Sequence, residues 1–278
     1  MNAIYNNQKV ALITGASSGL GALTAAQLAE RGYLVAGAAR RPELISEIPE
    51  VLPVRLDLTD AASIEHAVDV VESAFGRPVG ILVNNAGYGE FGSLEETPVD
   101  HARRQFEVNV FGLAHLTQRV IPAMRQAGSG RIVNVSSLAG EFSSPLGGWY
   151  HASKFALEAL SDSMRAELRP FGIDVAVVQP GPVRTAWHDE AMHALEATSG
   201  DGPYRGMATA VARYHRSTQS TAITSDAETV AAVIVEAATA MRPRTRYRVG
   251  RGASTAIAFS RLPDRVFDAM TRRQFGLA

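Results

Sequence analysis

Short apolar runs alternate along this chain with longer amphipathic stretches. Residues 9–14 form an apolar run, followed by a glycine-rich loop and a helical stretch over residues 20–31 that Gly32 is placed to stop. Residues 33–39 and 54–58 repeat the strand pattern, and 61–75 carry apolar positions at helical spacing. The same alternation continues through a strand at 79–83, a long helical region at 98–126 and a strand at 131–136. It closes with a helix at 150–168, a strand at 173–178, a helix at 226–241 and a last strand at 245–249. The strands are continuously hydrophobic, as strands covered on both faces are.

This β-α alternation predicts an α/β fold, a Rossmann-type doubly wound parallel sheet of about seven strands with helices on both faces. The 278 residues show no repeat, linker or composition break, so one domain over 1–278 is expected, with 250–278 as a C-terminal extension. Lys plus Arg number 27 against 28 Asp plus Glu, a net charge of −1, which gives no reason to expect a nucleic-acid partner. The absence of cysteine excludes a disulfide frame and thiolate chemistry. Residues 1–9 are polar, without the apolar segment of a signal peptide, and Asn6 and Asn7 read as surface positions. No run approaches the 18 or so apolar residues of a membrane span. The expectation is a cytoplasmic protein, assembled as a homo-oligomer.

Candidate chemistry gathers between residues 137 and 154. Tyr150 and Lys154 stand four apart in the 150–168 helix, so their side chains share one face a turn apart. A free phenol has a pKa of about 10, and a nearby cation favours the phenolate. The pair is therefore expected to lower the tyrosine toward neutrality, where it can exchange a proton with a substrate oxygen. A serine hydroxyl at the preceding strand end can hold the same oxygen. The spacing also fits an ordinary solvated helix face, but lysine is scarce here: Lys9 and Lys154 are the only two. His151 lies about 100° round the helix from Tyr150 and reads as structural. The seven histidines suggest no metal cluster, His188 and His193 being five apart, a poor ligand spacing on a helix.

Gly15, Gly19 and Gly21 punctuate the loop after the first strand, with Ser17, Ser18 and Leu20 between them. Glycines between strand and helix let the backbone approach a dinucleotide pyrophosphate at the helix N-terminus. An NAD site usually places an acid about 20 residues further on. Here the second strand ends on Ala39 and is followed by Arg40 and Arg41, which favours the 2′-phosphate of NADP. In the alternative, NAD binds, the arginines are solvated and Glu43 supplies the acid.

The motifs Thr14-Gly15-Ala16-Ser17-Ser18-Gly19-Leu20-Gly21, Asn84-Asn85-Ala86-Gly87, Tyr150-x-x-x-Lys154 and Pro180-Gly181 occur in this order. Over residues 9–185 the chain thereby resembles the short-chain dehydrogenase/reductase family, its NADP-preferring steroid- and retinol-dehydrogenase-like members in particular. The resemblance implies hydride transfer between a nicotinamide and a ketone, aldehyde or alcohol. It selects Ser137, thirteen residues before Tyr150, as the substrate-holding serine. It also implies that Asn109 joins Ser137, Tyr150 and Lys154 in a proton relay, and that Lys154 bonds the nicotinamide ribose. Asp57 and Leu58 resemble the residues that meet the adenine. Asn85, with Ala86 and Gly87, resembles a wall of the adenosine site, and Pro180, Gly181, Val183 and Thr185 the segment that holds the carboxamide.

Residues 138–149 and 186–224 are expected to shape the substrate pocket, with 89–92 adding a wall. The second segment reads as a long loop acting as a lid, and carries Trp187, His188, Met192, Tyr204, Met207 and Tyr214. These side chains point to an apolar ketone or alcohol. In the tail, a helix at 264–273 with Val266, Phe267 and Met270 on one side is placed to dock on the body or a second subunit. Two other readings keep the fold: a reductase of 3-oxoacyl thioesters or a sugar epimerase, and an NADP-sensing regulator without catalysis. The complete set of four relay residues argues against the regulator.

Overall fold

A computed structural model of the chain describes residues 9–277; the polar segment 1–8, with Asn6 and Asn7, and Ala278 lie outside the described residues. Seven parallel strands form one sheet: β1 (Val10–Thr14), β2 (Leu34–Ala39), β3 (Val51–Arg55), β4 (Val79–Asn84), β5 (Gly130–Val135), β6 (Ile173–Pro180) and β7 (Arg246–Val249). Their order in the sheet is β3-β2-β1-β4-β5-β6-β7. The chain thus winds outward from β1 in one direction, returns to β4 and winds outward in the other. The switch point between β1 and β4 opens a crevice at the carboxyl ends of the strands, where ligands bind in such sheets.

Alternate residues of each strand face opposite cores. Ala11 and Ile13 pack with Leu28 of α1 (Gly19–Glu30) and Ile234 of α8 (Ala227–Thr239). Val10 and Leu12 pack with Val68 of α2 (Ala61–Phe75) and Leu116 of α4 (Leu113–Gln126). Both faces are therefore covered, and the period of two is masked in the sequence because either side buries apolar residues.

Three expectations need correction. The third strand is Val51–Arg55, not 54–58. Pro53 sits inside it, opposite Gly37, and is tolerated because β3 is the sheet edge and needs no donor on its outer side. The region 98–126 is not one helix: between α3 (Val99–Phe106) and α4 runs a π-helical segment, Glu107–Gly112, which holds Asn109. The segment 186–224 is largely helical, with α6 (Ala186–Ser199) and α7 (Arg205–Thr218). Ala191, Met192 and Leu195 face inward from one, and Ala208, Val211 and Ala212 from the other. That apolar stripe is built from small side chains among many polar ones, which hides it in the sequence.

α5 (Gly148–Leu168) carries the candidate tyrosine and lysine. Beyond β7 come α9 (Ala253–Phe259) and α10 (Asp264–Gln274). Of the apolar side of α10, Phe267 meets the Phe142 ring at 6.3 Å, while Val266 and Met270 stay exposed. Among the described residues, no helix is long and apolar enough to cross a membrane.

Candidate active site

The glycine loop is shaped by contacts that leave no room for side chains. Gly15 has φ +68°, and a Cβ there would stand 2.9 Å from Ala86 Cα. A Cβ on Gly21 would stand 2.2 Å from the Gly15 carbonyl oxygen. Thr14 Oγ1 accepts from the backbone N–H groups of Asn85 at 3.0 Å and Ala86 at 2.9 Å, tying the loop after β4 to the end of β1. Asn85 turns its amide into this junction, donating to Thr14 O at 2.9 Å, so it braces the loop instead of reaching outward. Thr14 was quoted in the motif but given no role; a threonine ending a buried strand at a loop crossing was the available signal. The first turn of α1 carries no acid and Ser18 makes no side-chain cap, which leaves amide donors facing the loop. Ser17 is half-buried and Ser18 exposed beside them. Thr185, at the start of α6, comes to 3.8 Å from the Cβ position of Gly19. Gly181 donates to Val249 O at 2.8 Å, and Val183 bridges to Ser225, fixing the 180–185 segment across the crevice. The set fits a dinucleotide: a close-approach cradle, free helix donors and a facing segment.

At the far end of the crevice, Arg40 is exposed directly after β2. Asp57 Oδ1 accepts from Thr59 N at 2.9 Å and Thr59 Oγ1 at 2.8 Å. The Thr59 N–H holds the Asp57 carboxyl below its usual range against burial, and the Arg40 guanidinium adds to this. Leu58 is buried beside it, its carbonyl against Gly112 of the π segment.

Ser137, Tyr150, Lys154 and Asn109 are brought together where β5 meets α5. Ser137 Oγ accepts from Ala139 N at 3.1 Å, donates to Pro180 O at 3.5 Å and stands beside the Tyr150 phenol, whose ionised form it favours. Ser136 Oγ is buried without a partner and faces the Gly140 side. Lys154 Nζ donates to Val135 O at 3.0 Å and lies 6.0 Å from the centre of the Tyr150 ring. Asn109 Nδ2 donates to Tyr88 O at 3.0 Å and Ser153 Oγ at 3.1 Å, and its Oδ1 accepts from Tyr88 N. Asn109 Oδ1 and Lys154 Nζ both border the Cβ position of Gly87, at 3.0 and 3.7 Å.

The electrostatics differ from the expectation that Lys154 lowers the phenol. Burial pushes Tyr150 up to about 12, with the Ser137 hydroxyl pulling the other way. Burial brings Lys154 itself down to about 8, opposed by the Glu158 carboxylate one turn along α5. The ammonium faces the Val135 carbonyl and stands off the ring, so desolvation governs the tyrosine. At neutral pH Tyr150 is a protonated donor. Glu158, held by Gln179 and by Arg246 at 3.0 Å each, was missed in the sequence. Its spacing of four from Lys154 was the available signal.

His151 is structural, as expected: Nδ1 donates to Ala139 O at 3.0 Å and Nε2 accepts from Ser144 N at 3.2 Å. The predicted substrate segments converge on Tyr150. Phe91 and Trp187 place their rings 5.5 and 5.3 Å from that of Tyr150, and Leu146 and Met192 join the same apolar cluster. The cluster also takes in Phe275, which follows α10 and packs on Tyr214 at 4.7 Å. This use of the tail was not legible in the sequence. Among the described residues, no group of three or more His, Asp or Glu is placed to hold a metal ion.

The serine geometry gives a sharp expectation. Ser137→Ala should lower kcat by about 10²-fold, the scale for removing one donor to the reacting oxygen. Ser136→Ala should change it less than about threefold, since its hydroxyl meets no group of the site. Equal effects in steady-state assays would overturn the assignment.

Comparison with known proteins points to one family. The family model described as short chain dehydrogenase matches residues 9–196. An uncharacterised oxidoreductase, YusZ, of Bacillus subtilis is 36% identical over 92% of this chain and 94% of its own length. A 3-ketodihydrosphingosine reductase of Bacteroides thetaiotaomicron is 40% identical over 65% of this chain and 66% of its own. An NADPH-dependent 3-dehydrocapnine reductase of Ornithobacterium rhinotracheale is 31% identical over 94% and 95%. Among solved structures, a short-chain dehydrogenase from Streptomyces avermitilis superposes with a TM-score of 0.78 at 32% identity, covering 91% of this chain and 92% of that one. One from Burkholderia phymatum in complex with NAD gives 0.77 at 30% identity, covering 91% and 92%. One from Burkholderia cenocepacia in complex with NADP gives 0.72 at 26% identity, covering 96% and 97%.

Proposed function

This chain belongs to the short-chain dehydrogenase/reductase family, and we propose that it is an NADP-dependent enzyme that interconverts an apolar ketone or aldehyde with the corresponding alcohol. The observation that carries the reading is the buried Tyr150 phenol beside the Ser137 hydroxyl, one helical turn from Lys154. A bound nicotinamide supplies the hydride in reduction. Ser137 donates a hydrogen bond to the carbonyl oxygen and orients it. Tyr150 gives its proton to that oxygen, and Lys154 would hold the nicotinamide ribose. Asn109, facing Lys154 across Gly87, stands where it can hold the inner end of a path that returns the proton. In oxidation the same residues work in reverse, with Tyr150 as base.

Gly15, Ser17, Ser18, Gly19, Leu20 and Gly21 would hold the pyrophosphate. Asp57, Leu58 and the Asn85–Gly87 turn would border the adenosine. Pro180, Gly181, Val183 and Thr185 would meet the carboxamide. Arg40, with Ala39 in place of an acid, supports NADP, as does the name of the NADPH-dependent relative. Known neighbours hold either cofactor. The aromatic wall around Tyr150 supports an apolar substrate over a polar carrier-bound one. The test is NADPH oxidation over a panel of long-chain, cyclic and steroid-like ketones and aldehydes, with sugars as controls. Turnover confined to the apolar members is expected. Turnover of sugars alone, or of no carbonyl compound at all, would overturn the reading.

A further inference from the structure

The wall around Tyr150 has one polar break. His188 follows Trp187 in the first turn of α6 and is 7% exposed. His215, on α7, faces it with ring centres 5.6 Å apart. Phe91, Tyr214 and Phe275 enclose His215 on other sides, at 6.1, 5.7 and 6.0 Å. The same Phe91 and the neighbouring Trp187 lie against the Tyr150 ring, so the imidazole pair adjoins the substrate wall.

The pair is not internally satisfied. The Nε2 atoms of both His188 and His215 are buried and have no hydrogen-bond partner. Buried polar atoms are nearly always paired, and leaving one unpaired is costly. His151 shows the usual arrangement: both of its ring nitrogens are bonded. The His215 backbone lies beside the His188 ring and favours its protonated form, against the burial that disfavours it. In the neutral tautomer with its proton on Nδ1, the ring presents a bare lone pair at the unpartnered Nε2. Burial keeps both rings neutral, His215 down to about 4, with the neighbouring imidazoles adding to the effect. A lone pair in an apolar wall asks for a donor from the ligand.

We propose that His188, paired with His215, is a polar subsite that accepts a hydrogen bond from a hydroxyl or amino group of the substrate, making this a reductase of apolar ketones that carry such a donor near the carbonyl. This rests on the carbonyl-reductase reading above and names the substrate class for it. Ser137 and Tyr150 hold the carbonyl oxygen, Phe91, Trp187 and Met192 cover the apolar chain, and His188 selects the second polar group. The subsite works by discrimination: a plain ketone leaves the His188 nitrogen unpaired, whereas the hydroxylated ketone pairs it.

The test compares a long-chain methyl ketone with the same ketone hydroxylated on a carbon beside the carbonyl or one further along. Wild-type kcat/KM should favour one hydroxyketone about tenfold or more, as one buried hydrogen bond allows. His188→Phe should bring that ratio to about one. His188→Gln, which keeps an acceptor oxygen, should retain part of it, and His193→Gln, exposed on the same helix, should leave it unchanged. In parallel, calorimetry measures binding of the matched diol and plain alcohol, with the same ratio expected in wild type and the same loss in His188→Phe. A wild-type ratio near one in both measurements, or a ratio that His188→Phe leaves intact, overturns the subsite. If His188-dependent discrimination appears in binding but no ketone is turned over, the subsite stands and the reductase reading fails.

Discussion

Tyr150→Phe is expected to lower kcat by about 10²–10⁴-fold while leaving NADPH binding within about twofold, because it removes the proton donor and little else. The ring stays: phenylalanine keeps the packing against Phe91 and Trp187. Only the hydroxyl beside Ser137 is lost, at most one hydrogen bond of about 0.5–1.5 kcal/mol, so the fold survives with a melting temperature lowered by a few degrees at most. Because burial holds the phenol near 12, the wild-type tyrosine is protonated throughout the neutral range, and reduction should not fall off below pH 7 through this group. Steady-state kinetics on a substrate whose chemistry is rate-limiting, with cofactor titration by fluorescence, decides the matter. Near-normal turnover in the variant would remove Tyr150 from the reaction.

What could be read in advance divides along physical lines. The sheet was legible because its strands are buried on both faces and stand out as apolar runs between helical stretches, as β1, β4, β5 and β6 do. β3 was misplaced because an edge strand tolerates Pro53, which a strand with two neighbours would not. The Tyr150–Lys154 pair was visible as a helical spacing, but its electrostatics were not. A spacing says which charges are near, while the apolar cluster that desolvates the phenol brings Phe91, Trp187 and Met192 from two distant segments to Leu146 just before α5. The same is true of the histidines. His188 and His215 are 27 apart in sequence and meet only because α6 and α7 pack together. The reading of the histidines weighed metal-ligand spacing along one helix, and a contact between two helices lay outside it. Phe275 is the extreme case: the polar tail gives no sign that its last aromatic residue returns to α7.

Cofactor preference is the second large effect, and it rests on two adjacent residues. NAD presents a ribose hydroxyl that an acid at the end of β2 would accept. NADP presents a phosphate that an acid would repel and a guanidinium would bind. Here β2 ends on Ala39, and Arg40 stands exposed immediately beyond it, near enough to Asp57 to hold its carboxyl down. Asp57 is bonded by Thr59 on Oδ1 within its own turn. A charge-assisted bond contributes about 1.5–3 kcal/mol, which corresponds to a wild-type preference for NADPH of roughly tenfold to a hundredfold. Because Arg40 is exposed, that preference should shrink as salt rises from 0.01 to about 0.5 M, whereas NADH binding should hardly move. In an Ala39→Asp, Arg40→Leu double variant the phosphate loses its partner and meets a negative charge, while the ribose hydroxyl gains an acceptor. The preference should then invert by a similar factor, a combined swing of about 10²–10⁴. Titration of both proteins with both reduced cofactors reads this directly. Tighter wild-type binding of NADH would discard the NADP assignment. An unaltered preference in the variant would move the phosphate site off Arg40, to Arg41 or to the Ser17 side of the glycine loop, since those are the remaining groups of the right chemistry at that end of the crevice.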